Sequence, residues 1–346
     1  MNQTWGHLSD QFFLGAVVLY AVALLGYAAE FAFRRDTVRP VRRAAVPAQA
    51  QPVQAAAKVL VTAGGGGTVE VETPFAVVPG GPDAPPPTRG VSGGSLPGRM
   101  AVAATFVGWG FHVACMVTRA LAAHRVPWGN MYEFATMIAL VAVTAYLVLL
   151  IRQPVRYLGA FVMLPVVCYL GLAGTVLYAQ AGPLVPALNS YWIKIHVVAA
   201  ILASGTFIVS AVSTGLYLVK ERAERRAAAG LTTRTAAVTA WLPDSAALDR
   251  NSYRVAAFAF PIWTFAIIAG AIWAEAAWGR YWGWDPKETW SFITWVVYAG
   301  YLHARATAGW KGRKAALIGL LAFGCLIFDF FGVNMWITGL HSYAGL

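Results

Sequence analysis

The sequence has little charge and few cysteines, and both scarcities narrow the class of protein. Only 12% of its 346 residues are charged while 58% are hydrophobic, which is too apolar for an ordinary soluble domain. Its three cysteines, Cys115, Cys168 and Cys325, stand far apart in apolar stretches, and no CxxC or CxxCH sequence occurs. The sequence therefore excludes a thiol redox motif and covalently attached haem, and it predicts that the cysteines are buried small side chains.

Long apolar stretches recur along the chain, each long enough to cross roughly 30 Å of hydrocarbon. Eight of them lie at residues 11–33, 100–122, 131–151, 157–179, 192–219, 255–275, 290–309 and 314–336. The first is followed by arginines and has no small-residue cleavage site, so we interpret it as a membrane anchor and not a signal peptide. The predicted fold class is all-α, a polytopic membrane bundle of about eight transmembrane helices.

Basic residues outnumber acidic ones, which gives a net charge of +11 and raises the question of a nucleic-acid partner. If the N-terminus lies outside and the chain crosses eight times, 21 of the 26 basic residues fall in inner segments, as the positive-inside rule requires. The outer side then keeps only Arg119, Arg125, Lys194, Arg280 and Lys287. Membrane orientation thus explains the charge without nucleic acid, and it predicts that both termini lie outside.

The chain divides into three predicted parts. Residues 1–35 form an N-terminal transmembrane helix, and residues 36–98 form a cytoplasmic linker rich in Pro, Gly and Ala. The linker has no sustained apolar period, so we expect it to be flexible. Residues 99–346 form a seven-helix domain with an external tryptophan-rich loop at 277–290. We also expect the charged segment at 220–226 to continue the fifth helix.

The loop at 277–290 reads AWGRYWGWDPKETW and is dense in aromatic residues. These are Trp278, Tyr281, Trp282, Trp284 and Trp290. An interfacial aromatic belt would account for one or two of them but not for this density. The loop therefore predicts a flat aromatic surface for a large planar ligand. Trp278 and Trp282 would share a face if their stretch were helical.

The second half of this loop has the pattern of a helix start. Asp285 suits the N-cap, Pro286 the first helical position, and Glu288 completes a capping box. We favour this structural role for both acids over catalysis. Lys287 fits it less well, because a cation in the first turn opposes the helix dipole by about 0.3–1 kcal/mol. With Arg280, it is a candidate partner for carboxylates on the ligand.

The histidines separate by predicted depth in the membrane. His196 and His341 both fall on the outer side with the tryptophan-rich loop, although they are far apart in sequence. His303 lies on the helix that follows the loop, roughly 20 Å nearer the cytoplasm. Imidazole is a common axial ligand of haem iron. We therefore take all three as candidate haem-iron ligands.

Three further polar residues in or beside the apolar stretches have no assigned role. His112 lies in the middle of the second stretch, where we expect a structural histidine. Asp329 lies within the eighth stretch and Glu275 at the end of the sixth. Ionisable residues inside a membrane are functional candidates by default, so the two acids are noted on that ground alone.

These motifs carry a resemblance to a known family. WGRYWGWDPKETW, with a preceding KIHV, a following YLHAR and a terminal GLHSYA, closely resembles the System II cytochrome c biogenesis proteins of the CcsA/ResC type. That type, named CcsB in some bacteria, belongs to the tryptophan-rich WWD-domain group of haem-handling membrane proteins. The resemblance covers roughly residues 98–346 and leaves out the linker.

The resemblance implies a protein that moves haem b to the outer face of a bacterial plasma membrane and presents it there. His196 and His341 would hold the iron against the aromatic residues from Trp278 to Trp290. His303 would belong to a deeper site whose second ligand comes from a partner. The implied partners are a ResB/CcsB-type membrane protein, apocytochrome c with its CxxCH thiols, and a thiol-reducing membrane thioredoxin-like protein. The chain would be a subunit of a holocytochrome c synthase, or haem lyase, with no catalytic residue of its own.

Three alternative functions remain open at the level of sequence. The same aromatic motif occurs in proteins that hand haem to a chaperone, although the terminal GLHSYA and the number of spans favour the first reading. A membrane b-type cytochrome would carry paired histidines along its helices, and no stretch here holds two. A solute permease has no obvious use for the tryptophan-rich loop.

Overall fold

The computed structural model describes residues 3–33, 60–63, 67–70, 95–182, 190–231, 239–307 and 309–341. The helices in these ranges are α1 (Gln3–Phe33), α2 (Leu96–Ala123), α3 (Met131–Arg152), α4 (Gly159–Thr175), α5 (Tyr191–Ala228), α6 (Ser245–Trp278), α7 (Pro286–Ala306), α8 (Arg313–Ile327) and α9 (Val333–Trp336). A 3₁₀ turn, Arg156–Leu158, precedes α4, and a π-helical turn, Phe328–Gly332, joins α8 to α9.

The chain falls into two structural units. One comprises Met1–Arg35 and Ser95–Leu346, and the other comprises Asp36–Gly94. Within the second unit, strands β1 (Leu60–Ala63) and β2 (Gly67–Glu70) pair antiparallel as a short hairpin. The rest of the predicted linker, before Ser95, lies outside the described residues, so its flexibility stays a prediction. The last residues of the predicted linker belong to α2, which begins at Leu96.

Among the described helices, seven are long and apolar enough to cross a membrane. They are α1 to α6 and the α8–α9 segment, which together account for seven of the eight predicted stretches. This result confirms the predicted polytopic helical membrane bundle. The sides of the membrane on which the termini lie stay a prediction.

Helix α7, the predicted seventh span, is not among the seven described helices that are long and apolar enough to cross. Its 21 residues extend about 31 Å at 1.5 Å per residue. The segment that follows it returns to its start: the Leu340 backbone N–H donates to Asp285 Oδ1 at 2.7 Å, and the rings of Trp290 and Phe328 are 4.3 Å apart. The α8–α9 segment therefore runs alongside α7, and the crossing of α7 stays a prediction.

Polar side chains at the N-cap position begin five of the described helices. The oxygens of Ser95, Asn130, Ser190, Asp244 and Asp285 each accept a hydrogen bond from a first-turn N–H group. The capping box predicted between Asp285 and Glu288 is confirmed, and α7 begins at Pro286 as expected. The charged segment at 220–226 does continue α5, which extends to Ala228.

The cysteines differ from the expectation of three buried thiols. Cys115 is buried, Cys325 is half-buried, and Cys168 is exposed on the surface of α4. The prediction was therefore wrong for Cys168. The reason is that an apolar transmembrane stretch can be surrounded by lipid and not by protein. Its small, weakly polar thiols can then face outward, so apolarity does not imply burial inside the protein.

Candidate functional site

An open cavity lies among α3, α5, α6, α7 and the α8–α9 segment, with about 1150 Å³ of empty space when the solvent at its mouth is included. Aromatic side chains dominate its walls: Trp128, Phe134, Trp263, Trp273, Trp278, Tyr281, Trp282 and Phe330. Its polar lining includes His196, His341, Lys287, Glu288, Asp329 and Asn334. A large apolar cavity with a few convergent polar groups is the usual form of a small-molecule site.

His196 reaches this cavity from α5 and is oriented by α6. Its Nδ1 atom lies 2.8 Å from the carbonyl oxygen of Ala266. A carbonyl only accepts, so Nδ1 carries the proton and the lone pair of the ring is on Nε2. Gly270, one turn further along α6, leaves room for the ring, since a Cβ atom there would lie 2.7 Å from Nδ1.

His341 reaches the same cavity from the segment after α9. Its Nδ1 atom lies 2.8 Å from Oδ2 of Asp285, the residue that caps α7. Burial would raise the pKa of Asp285, but the hydrogen bonds from His341 and from the Leu340 backbone outweigh it and lower that pKa. Asp285 is therefore ionised at neutral pH and accepts the Nδ1 proton, which leaves the imidazole lone pair on Nε2.

The environment of His341 also favours the neutral ring. Burial lowers its pKa, and the positive charge of Lys287 acts in the same direction, while the hydrogen bond to Asp285 opposes them. A neutral imidazole is the form that coordinates metals. Both predicted outer histidines thus present the coordinating tautomer at one cavity.

The ring of Trp273 contacts both histidines. Its ring stacks on that of His196 with centroids 6.2 Å apart and an angle of 10° between the planes. It also meets the His341 ring edge-on at 5.7 Å, and Trp278 meets that ring at 5.0 Å. Trp273 is fully buried, so it is the rigid inner wall of the site.

The predicted aromatic residues divide into two groups. Trp278, Tyr281 and Trp282 line the cavity, whereas Trp284 and Trp290 are absent from its lining. Trp284 is 64% exposed and has a left-handed backbone with φ of 58°. Trp290 packs against Phe328 of the π-helical turn.

Trp278 and Trp282 do not share a helical face, because the stretch between them is not helical. Helix α6 ends at Trp278, because Gly279 takes a left-handed conformation with φ of 69° as its C-cap. Trp282 therefore lies in irregular chain, and it reaches the cavity through the loop and not along a helix. The two tryptophans nevertheless line the same cavity.

The two predicted cations also separate. Lys287 lines the cavity, and its Nζ atom donates to the backbone oxygen of Asp329 at 2.7 Å, with Oδ2 of that residue at 3.8 Å. Arg280 does not line it, and its guanidinium lies 3.4 Å from Oε1 of Glu288. Lys287 is thus the cation placed to meet a ligand in this cavity.

His303 lies apart from the cavity. It is exposed on α7 and does not belong to the cavity lining. His112 is fully buried in α2, where its Nδ1 atom is 3.2 Å from the hydroxyl of Tyr20. Glu275 is exposed near the end of α6. Of the three predicted ligands, the structure brings only His196 and His341 together.

A buried cluster of charged side chains stabilises one wall of the cavity. This cluster was not predicted from the sequence. Glu133, fully buried at the start of α3, accepts from Arg119 at 2.8 Å and from Arg125 at 2.7 Å. It also accepts from the backbone N–H of Gly129 at 2.7 Å. These bonds fix the loop between α2 and α3, which carries Trp128 into the cavity lining.

Comparison with known proteins places this arrangement in a family. Residues 128–341 match the family described as "Cytochrome C assembly protein". The "Cytochrome c biogenesis protein CcsA" of Guillardia theta is 35% identical over 261 residues, which cover 70% of this chain and 86% of that protein. The protein of the same name in Synechococcus elongatus is 34% identical over 268 residues, covering 66% and 82%. The chain belongs to the CcsA-type cytochrome c assembly family.

The family match and the cavity coincide along the chain. The match begins at Trp128, the first residue of the cavity lining, and ends at His341, the last. Membership in the CcsA-type family means that the protein functions in cytochrome c assembly, and its seven long apolar helices indicate a multi-pass membrane protein. Helices α1 and α2 lie before the matched region.

Trp273 and Trp128 are among the cavity residues that the sequence did not single out. Trp273 lies within an apolar stretch five positions before Trp278, where an aromatic residue reads as ordinary core. Trp128 lies alone between two stretches, in the sequence PWGNMYEF. The nearby acid Glu133 was the available signal, since a carboxylate entering an apolar stretch requires a partner.

Proposed function

We propose that this protein binds haem b in the cavity between α5, α6 and α7 and presents it on the outer face of the membrane for attachment to apocytochrome c. One observation carries the proposal. His196 and His341 line one apolar cavity, and each has an acceptor at Nδ1 that puts its lone pair on Nε2. Imidazole nitrogens of this tautomer, backed by an acceptor on the far side, are typical axial ligands of haem iron.

The rest of the cavity lining fits the same ligand. The apolar faces of Trp273, Trp278 and Trp282 suit a large planar macrocycle. The ammonium of Lys287 suits a carboxylate at its edge. The cargo supplies the iron and the vinyl groups that take up cysteine thiols, while the chain binds it, orients it and excludes water.

Transfer of haem to apocytochrome c would require other proteins. The protein has no thiol motif, so the reduced CxxCH thiols come from apocytochrome c, kept reduced by a thioredoxin-like membrane protein. A ResB/CcsB-type membrane protein would complete the synthase. The exposed position of His303 on α7 suits a deeper haem site whose second ligand such a partner supplies. We place the protein in a bacterial plasma membrane with the 277–290 loop outside.

The decisive experiment is purification of the full chain with its co-expressed partner from haem-replete cells, followed by an absorption spectrum. The wild type should carry haem with a bis-histidine spectrum. His196→Gly and His341→Gly should each lower retention by about 10- to 100-fold, and added imidazole should restore part of it. His124→Gly, at an exposed histidine outside the cavity lining, is the matched control. Haem-free wild-type protein would overturn the proposal.

A further inference from the structure

Lys287 and Asp329 form a loose ion pair inside the cavity. The Lys287 ammonium donates to the backbone oxygen of Asp329 at 2.7 Å, while the nearer carboxylate oxygen, Oδ2, stays at 3.8 Å. The other oxygen, Oδ1, is buried and has no hydrogen-bond partner among the described residues. Both residues line the cavity together with the two histidines. The carboxylate is therefore near the ammonium without a direct hydrogen bond to it.

The backbone around Asp329 departs from a regular helix. Residues Phe328–Gly332 form a single π-helical turn between α8 and α9. Such turns are rare and occur frequently at functional sites. This one gives the Asp329 carbonyl to Lys287 and holds the carboxylate, only 3% exposed, beside the cavity. An ionisable residue kept within a membrane span is a functional candidate.

The charges around Lys287 favour weak retention of an anion. Three carboxylates lie near the first turn of α7, those of Asp285, Glu288 and Asp329. Asp285 is engaged by His341 and Leu340, and Glu288 by Arg280 and backbone N–H groups. Asp329 is the acid whose side chain is left to balance Lys287. A carboxylate of a ligand must therefore share one ammonium with Asp329.

We propose that Asp329 competes with a haem carboxylate for Lys287 and so weakens the hold of the cavity on its cargo. The inference rests on the proposed function and assigns a specificity-determining role to a residue that does not ligate iron. A protein that passes haem on needs a site that releases it. When the ligand leaves, the ammonium of Lys287 is again balanced by the carboxylate of Asp329. Release therefore avoids the free-energy cost of leaving a buried cation without a counter-charge.

The test is a haem titration of Asp329→Asn in the full chain, reconstituted in lipid nanodiscs. Two probes separate the charge effect from packing: iron protoporphyrin IX, and its dimethyl ester, which lacks the carboxylates. We expect Asp329→Asn to bind the free acid about fivefold to tenfold more tightly, and to release it correspondingly more slowly to an apo-globin trap. Affinity for the dimethyl ester should stay within about twofold.

The control is the same substitution in a Lys287→Gln background. There Asp329→Asn should no longer change the preference for the free acid over the ester, because the shared ammonium is gone. If Asp329→Asn does not fold, Asp329→Glu gives the opposite test. Its longer side chain reaches Lys287 more closely, so it should weaken binding of the free acid and leave the ester unchanged.

Equal effects on both probes, or no effect of either substitution, would overturn the competition. So would a persistent effect of Asp329→Asn in the Lys287→Gln background. Wild-type protein that binds neither probe with a bis-histidine spectrum would instead overturn the proposed function. The two failures are therefore distinct.

Discussion

The imidazole Nδ1 of His341 lies 2.8 Å from the carboxylate Oδ2 of Asp285, 56 positions earlier in the chain. The same carboxylate caps α7 and accepts the backbone N–H of Leu340. One side chain thus begins helix α7 and orients a cavity histidine. The position of His341 depends on α7 as much as on its own segment.

Asp285→Asn separates the two tasks of this carboxylate. Asparagine is as good an N-cap as aspartate, so thermal stability should change by less than about 1 kcal/mol. The loss of the negative charge behind His341 should lower haem affinity by about 10- to 100-fold, measured by absorbance titration. Asp244→Asn, at the N-cap of α6 and away from the cavity lining, should leave affinity unchanged. An equal loss in both variants would contradict the orienting role.

Gly270→Ala should displace His196 without damaging α6. The added Cβ atom would lie 2.7 Å from Nδ1, which is closer than real contacts allow, while alanine favours helix more than glycine does. We expect unchanged or higher thermal stability together with a weaker bis-histidine absorption spectrum. Gly300→Ala in α7, where nothing lies within 4 Å of the new Cβ, is the control. A wild-type spectrum from Gly270→Ala would show that the ring accommodates the methyl group.

Trp273→Ala and Trp284→Ala should differ sharply. Removing the buried Trp273 ring opens a cavity and should lower stability by about 3–5 kcal/mol, with loss of haem retention. Trp284 is 64% exposed and outside the cavity lining, so its removal should leave both quantities close to wild type. Thermal unfolding in detergent and the ratio of haem to protein measure the two effects. Similar losses in both variants would indicate that Trp284 also contributes to haem binding.

Glu133→Gln should be among the most destabilising single changes in the chain. It leaves two arginine guanidinium groups without their shared carboxylate, and breaking a buried pair in this way costs about 3–5 kcal/mol. The loop with Trp128 should loosen, so haem retention should fall as well. Glu221→Gln removes the pair with the exposed Arg225 and should cost under about 1 kcal/mol. Thermal unfolding of the two variants side by side checks this difference.

Much of the fold followed from local pattern. The capping box at Asp285 and Glu288 sets the start of α7 from four adjacent residues, and the structure has it there. The apolar stretches coincide with helices because in a membrane the backbone must satisfy its own hydrogen bonds. For seven of the stretches, length and apolarity alone identify the span.

The cavity was less accessible to sequence. Trp273 and Trp128 line the cavity because of neighbours that come from other helices. Nothing in their local sequence distinguishes them from ordinary core tryptophans. Trp284 looks like Trp282 in sequence, but a left-handed backbone at Trp284 turns it outward. The loose pair of Lys287 and Asp329 joins residues 42 positions apart through a π turn that no local pattern predicts.

The bond between Asp285 and the segment at His341 also orders events during synthesis. Chains grow from the N-terminus, so His196 and the aromatic walls of α6 exist before α8 and α9 are made. Until His341 docks against Asp285, the cavity has one of its two histidines. If the cavity binds haem as proposed, a nascent chain offers the iron only one axial ligand until the segment with His341 is made.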